Sequence, residues 1–193
     1  DGDEEQCRIY RDFVPMFQQM QTLSALLRAK RHRRGAVDFD FPETKVVLDE
    51  TGCPVALKAY ERNTATKLIE DFMLAANETV AEDFFWREIP FVYRIHEAPD
   101  EEKIRKLAVF LHNFGYTMHV GTNEIHPKEI QKLLARVEGK PEEPMIARLA
   151  LRSMKQAKYT PENEGHFGLA TAYYTHFTSP IRRYPDLQIH RII

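Results

Sequence analysis

A chain of 193 residues with 43% hydrophobic content can bury a real core, which excludes a disordered tail. Its 27 basic and 29 acidic side chains nearly cancel, so any argument for nucleic acid must rest on local clusters rather than bulk charge. No apolar run approaches the roughly 18 to 20 residues of a membrane span, and the acidic start "DGDEEQ" is unlike a signal peptide. Cys7 and Cys53 lack metal or redox spacing and read as thiols of a reducing compartment, so the expected location is the cytoplasm and no membrane partner is expected. The missing initiator Met and the apolar end "LQIHRII" read as the marks of a fragment of a longer polypeptide.

From Glu4 to Arg34, Ile9, Phe13, Met16, Phe17, Met20, Leu23, Leu26 and Leu27 recur at three- and four-residue spacing, which predicts an apolar stripe on one long helix. Pro15 should kink that helix or mark its true start. Its end, "RAKRHRRG", carries six basic residues that suit the negative end of the helix dipole, with Gly35 as the stop. Such a run is either a solvated helix end or a phosphate-contacting patch.

Alternating residues around "DETG" predict a hairpin, Val46 to Asp49 pairing with Val55 to Lys58 through a turn at Gly52. Just before it, Asp38 and Asp40 would share one face of an extended segment, opposite Phe39 and Phe41. A surface face explains the pair without chemistry, and no His or third acid stands near to complete a metal site.

"NTATKLIEDFMLAANETVAEDFFWRE" is the strongest helical pattern, capped by Asn63 or Thr64, with Leu68, Phe72, Ala75, Ala76, Thr79 and Val80 as its packing face. Asn77 in mid-helix needs a partner, most simply a buried hydrogen bond. "PFVYRIHEAP" predicts a short strand with Phe91, Tyr93 and Ile95 on one face and Val92, Arg94 and His96 on the other. Residues 100–113 and 127–138 are amphipathic helices ended by Gly115 and Gly139, and "EEPMIARLALRSMKQAKYT" predicts another whose Arg152, Lys155 and Lys158 form a basic edge. The eight histidines show no metal-ligand spacing. The sum is one α+β unit over residues 1–193, helix-rich with a small antiparallel sheet.

The last stretch, "HFGLATAYYTHFTSPIRRYPD", crowds aromatic and hydroxyl residues against Arg182 and Arg183. "SPIRRYPDLQIHR" predicts a helix with Ser179 as N-cap and Pro180 at its first position. Three uses of the arginines compete. They are surface charges, one of them paired with Asp186 at one-turn spacing. They anchor a protein interface, where Arg and Tyr are enriched. Or, with Thr178, Ser179 and the helix N-terminus, they hold phosphate while Phe167, Tyr173, Tyr174 and His176 offer rings for bases.

The stretch from "LRSMKQAKYTPENEGHFGLA" to "SPIRRYPDLQIHR" resembles the late part of the catalytic RNB domain of the ribonuclease II and ribonuclease R family, its ribonuclease R branch most closely. "LRAKRHRRGAVDFDFPE", "LIEDFMLAANETVAE" and "PFVYRIHEAP" occur in that family in the same order. The resemblance implies a partial RNB fold and a processive, metal-dependent 3′-to-5′ exoribonuclease that releases nucleoside 5′-monophosphates. It assigns Arg182 to the scissile phosphate and makes Arg183, Ser179, Thr178, Tyr174, His176 and His166 candidates for phosphate and RNA binding. It also makes Phe91 or Tyr93 a candidate ring of the clamp on the RNA 3′ end. The implied cofactor is Mg2+, with its ligands in an Asp-rich motif upstream of this segment. The implied partners are a single-stranded RNA 3′ end, the upstream half of the RNB domain and flanking cold-shock-type and S1-type modules. Without those aspartates the segment alone should be inactive. The rival expectation is a non-catalytic RNA-binding or regulatory protein that keeps the RNB shape.

Overall fold

In the computed structural model, which describes residues 3–39, 43–60, 62–119 and 125–193, the chain divides into two units. One holds residues 1–30 and 42–75, the other 31–41 and 76–193.

In the first unit, Asp3 caps a short helix, α1 (Glu4–Ile9), by accepting the Gln6 N–H. The backbone then leaves helical geometry at Tyr10 and makes one 3-10 turn over Arg11–Phe13 before α2 (Val14–Arg34) begins. The single long helix expected from the apolar spacing is therefore two, and Pro15 stands in the first turn of the second, where its missing N–H costs nothing. The predicted stripe is also not a buried one. Ile9, Phe13, Met16, Phe17, Leu23 and Leu26 are all exposed, whereas Ser24 is buried and donates to Asp71 at 2.6 Å.

Strands β1 (Glu43–Leu48) and β2 (Pro54–Tyr60) pair antiparallel, Val46 opposite Leu57 and Lys45 opposite Lys58. The Asp49 carboxylate closes the turn by accepting from the Thr51 N–H and hydroxyl and the Cys53 N–H, and Gly52 supplies the positive φ of +84°. Asp49 thus belongs to the turn rather than to the strand. Helix α3 (Thr64–Trp86) starts where Asn63 accepts the Thr66 N–H at 2.9 Å, as its capping side chain should. Its fully buried positions are Asp71, Asn77, Ala81 and Phe84, while Thr79, assigned to the packing face by spacing, is exposed.

In the second unit, α4 (Glu101–His112), α5 (Pro127–Val137) and α6 (Glu143–Ser153) bury Ile104, Leu107, Leu111, Ile130, Leu133, Val137, Ile146 and Ala150 as one core. A second core gathers Ala81 and Phe84 of α3, Phe91, Tyr93 and Ile95, and Ile189 of α7 (Tyr184–Ile192). Phe91 and Tyr93 lie within it, 4% and 5% exposed, with Phe91 stacked on Phe84 at 4.8 Å. Strand β3 (Tyr93–Ile95) pairs antiparallel with β4 (Lys158–Thr160), Arg94 opposite Tyr159. That pairing corrects the expectation of a helix running to Thr160. Helix α6 stops at Ser153 and Met154 turns extended, because Lys158–Thr160 finds a strand partner there. The result is a helix-rich α+β fold with two small antiparallel sheets. Among the described residues no helix is long and apolar enough to cross a membrane.

Candidate nucleic-acid interface

The arginine pair sits on a tight turn, not on a helix. The Ser179 carbonyl accepts the N–H groups of Arg182 and Arg183, Pro180 occupies the position where turns favour it, and α7 begins only at Tyr184. Ser179 is not the N-cap of α7, whose cap position is Arg183, and its N–H donates at 2.8 Å to the Asp186 carboxylate. Arg183 puts Nε and Nη2 on the same Asp186 oxygen, at 3.0 and 2.7 Å, and Asp186 is wholly buried. Arg182 is exposed, and its guanidinium makes no hydrogen bond or ion pair among the described residues. Asp186 lies three residues from one arginine and four from the other, and the structure gives it to Arg183 alone.

Behind the turn, residues 174–177 are fixed from α3. Asn77 accepts the Phe177 N–H at 2.9 Å and donates to the Tyr174 hydroxyl at 3.2 Å, which is the buried partner its mid-helix position demanded. Thr175, fully buried, donates its hydroxyl to the Val92 carbonyl at 2.6 Å. His176 is half-buried and its Nδ1 lies 2.7 Å from the Tyr159 hydroxyl, while the Arg94 guanidinium lies over the Tyr159 ring at 4.6 Å. Tyr174 meets His176 and His166 edge to face, and His166 meets His96 in the same way. Sequence patterning had placed Arg94 opposite the core face of its strand, but it did not single out Arg94 as a site residue. Tyr159 was hidden by the helix assigned to its segment.

These histidines are neutral. Burial first, then the positive charges of Arg183 and Arg94, hold His176 at about 4, and burial together with His96 and Arg94 holds His166 at about 3. His96 is likewise lowered, chiefly by burial. Its Nδ1 accepts the Gly168 N–H at 3.1 Å, so Nε2 carries the proton and donates to the Lys155 carbonyl at 2.8 Å. His166 accepts the Leu169 N–H at 3.1 Å. The pair therefore shapes the "HFGLA" turn, in which a Cβ on Gly168 would stand 2.9 Å from the His96 ring.

Residues 3–193 match the RNB domain. The chain belongs to the RNB domain family. It is 46% identical over 192 residues to ribonuclease R of Aquifex aeolicus, covering all of this chain and 27% of that protein. Among solved structures, Mycoplasma genitalium RNase R in complex with ribose methylated single-stranded RNA superposes with a TM-score of 0.86 at 33% identity, over 91% of this chain and 28% of that one. Yeast Ssd1, a pseudonuclease, superposes over 68% of this chain and 16% of its own, with a TM-score of 0.59 and 27% identity. The chain spans about a quarter of the length of the ribonuclease R relatives it matches.

Within this RNB segment the other basic clusters are largely committed. Arg34 makes a bidentate pair with Glu78 at 3.0 and 2.6 Å and a further bond to the Leu169 carbonyl, and Arg28 pairs with Asp71 at 2.7 Å. Arg31 is buried, with Asp38 at 3.9 Å. Lys155 and Lys158 both bind Glu97, whose carboxyl they hold at about 2. Of the residues expected at the site, His176, Thr178, Ser179, Arg182 and Arg183 are half-buried or exposed along 176–183, whereas Tyr174 is buried, 6% exposed, with its hydroxyl held by Asn77, and packs behind His176 and His166. Phe91 and Tyr93 are core residues rather than exposed rings. Their edges reach a groove of about 430 Å³ that Phe85, Trp86, Ile89 and Pro161 also line. Asp40 lies outside the described residues, and Asp38 is exposed. Among the described residues no group of three or more His, Cys, Asp or Glu side chains could hold a metal ion.

Proposed function

We propose that the chain is the later part of the catalytic domain of a cytoplasmic ribonuclease R-like enzyme that degrades single-stranded RNA processively from its 3′ end, releasing nucleoside 5′-monophosphates. The observation that carries this reading is the RNB match over residues 3–193 together with the way its most specific turn presents Arg182, its guanidinium exposed and unpaired among the described residues, on a backbone tied to a buried carboxylate. A planar guanidinium held this way would stabilise charge building on phosphoryl oxygens during cleavage. Arg183 keeps Nη1 for a backbone phosphate, and the hydroxyls of Ser179 and Thr178 add donors beside it. His176 and His166 are uncharged near pH 7 and would contribute ring faces and hydrogen bonds, with the buried Tyr174 packed behind them. Phe91 or Tyr93 would present a ring edge to the terminal nucleoside. The Mg2+ expected of such an enzyme would be held by aspartates in the upstream half of the domain, with cold-shock-type and S1-type modules adding RNA contacts.

A second reading is favoured by the likeness to Ssd1: an RNB fold that binds RNA without cutting it. Degradation of a 5′-labelled RNA with a 3′ tail by the complete protein, with magnesium and with chelator, separates the two. Stepwise shortening from the 3′ end only with metal, with this segment inert alongside, supports the enzyme. Binding without any shortening favours the regulatory protein.

A further inference from the structure

Asp186 is the point on which the arginine turn depends. It stands in the first turn of α7, wholly buried, and one oxygen of its carboxylate accepts three donors, the Ser179 N–H at 2.8 Å and Arg183 Nη2 and Nε at 2.7 and 3.0 Å. Those donors come from the first and the fifth residue of the Ser179-to-Arg183 segment, so a single oxygen fixes both ends of the turn that carries Arg182 between them. The pair is also neutral in sum. Arg183 supplies the cation that a buried carboxylate requires, and Arg182, equally within reach by sequence spacing, is left uncompensated.

We propose that Asp186 is a positioning residue for Arg182: by taking Arg183 and the Ser179 N–H it holds the turn in the conformation that presents the Arg182 guanidinium to the RNA phosphate and keeps that guanidinium free of any carboxylate. It touches no substrate itself. The inference rests on the role given to Arg182 above. A misplacement of about 1 Å at a reacting group can cost two orders of magnitude in rate, so the strut should be visible in turnover rather than in affinity.

The test uses the complete enzyme on a 3′-tailed single-stranded RNA, comparing the parent with Arg182→Ala, Asp186→Asn and the double variant. Asp186→Asn is expected to lower kcat roughly ten- to a hundredfold, with KM within about threefold, and the double variant is expected to be no slower than Arg182→Ala alone. An unchanged kcat in Asp186→Asn, or losses that multiply in the double variant, overturns the proposal. Because Asp186 is buried, Arg183→Gln is measured beside it, with thermal unfolding of every variant. If Asp186→Asn does not fold, Arg183→Gln decides alone: a fall in kcat that does not add to Arg182→Ala supports the strut, and a parental kcat rejects it. Should Arg182→Ala itself turn over normally, the role of Arg182 fails and the strut has no catalytic group to position. That outcome is distinct from a crippled Arg182→Ala beside a fully active Asp186→Asn, which removes only the strut.

Discussion

Two arginine-rich stretches of this chain look alike on paper and differ in what the fold does with them. At the end of α2, Arg28, Arg31 and Arg34 recur every three residues, and each faces an acid: Asp71, Asp38 and Glu78. At residues 182 and 183, one carboxylate meets two arginines and accepts only one. The first stretch holds elements together, whereas the second spends one arginine to present another. Local density of positive charge therefore says little about phosphate binding until the acids are assigned.

The largest expected effect tests that difference directly. In the complete enzyme, Arg182→Ala should lower kcat by roughly a hundred- to a thousandfold with little change in KM, since an interaction realised in the transition state is lost. A large loss of RNA affinity with normal turnover would place Arg182 in the same class as an ordinary phosphate contact. Arg34→Met should behave oppositely. It leaves Glu78 half-buried without its cation and removes the bond to the Leu169 carbonyl, so it should cost about 2 to 3 kcal/mol of stability, measured by urea unfolding. A change under 0.5 kcal/mol would show that the α2 arginines are no more structural than surface charges.

What sequence could disclose follows the reach of each interaction. The hairpin, the Asn63 cap and the stop at Gly35 (φ +107°) are settled by neighbours a few residues away, and their residue types announce them. Asn77 announced a need for a partner but not that Tyr174 and Phe177 would supply it. Strand β4 was not legible, because Lys158–Thr160 becomes a strand only beside β3, far along the chain. The start of α7 misled for a different reason: Ser179-Pro180 satisfies the local rules for a helix start, but the chain closes a turn there, tied to a buried carboxylate seven residues on, and the helix begins only at Tyr184. The choice between Arg182 and Arg183 was equally closed to spacing, since both positions reach Asp186. The RNB motif was plain in the residues themselves, and the match across residues 3–193 bears out that resemblance.

The "HFGLA" turn, which supports the ring wall beside the arginines, offers an intermediate effect. Gly168→Ala would drive a Cβ to 2.9 Å from the His96 ring and 3.3 Å from its Cε1, and should destabilise by about 1 to 3 kcal/mol through overpacking. A melting temperature within a degree of the parent would mean that the neighbouring histidines shift freely. Those histidines also give the site a pH signature. His166 at about 3 and His176 at about 4 lie below the ordinary value of 6.5, so the unfolded chain binds more protons than the fold. Stability should be complete above about pH 6.5 and fall as the pH drops toward 4, by at most about 1.4 kcal/mol per pH unit for each histidine. Urea unfolding between pH 7 and 5 checks the sign. Because Arg182 and Arg183 contribute to the shift of His176, Arg182→Ala should also move that ring's titration upward, read by NMR.

The smallest expected effect makes the sharpest comparison. Arg33, like Arg182, is exposed, and its guanidinium makes no hydrogen bond or ion pair among the described residues. If exposure of a free guanidinium were the signal, the two should matter equally. Arg33, however, sits in the last turn of a helix, and among the described residues no buried carboxylate fixes its position. Arg33→Ala should therefore change stability by less than about 0.5 kcal/mol and leave kcat at the parental value in the complete enzyme. Any effect on KM should fade as salt rises, as it does for a screened surface charge. A kcat loss approaching that of Arg182→Ala would mean that the anchored turn confers nothing, and that charge on this face acts in bulk.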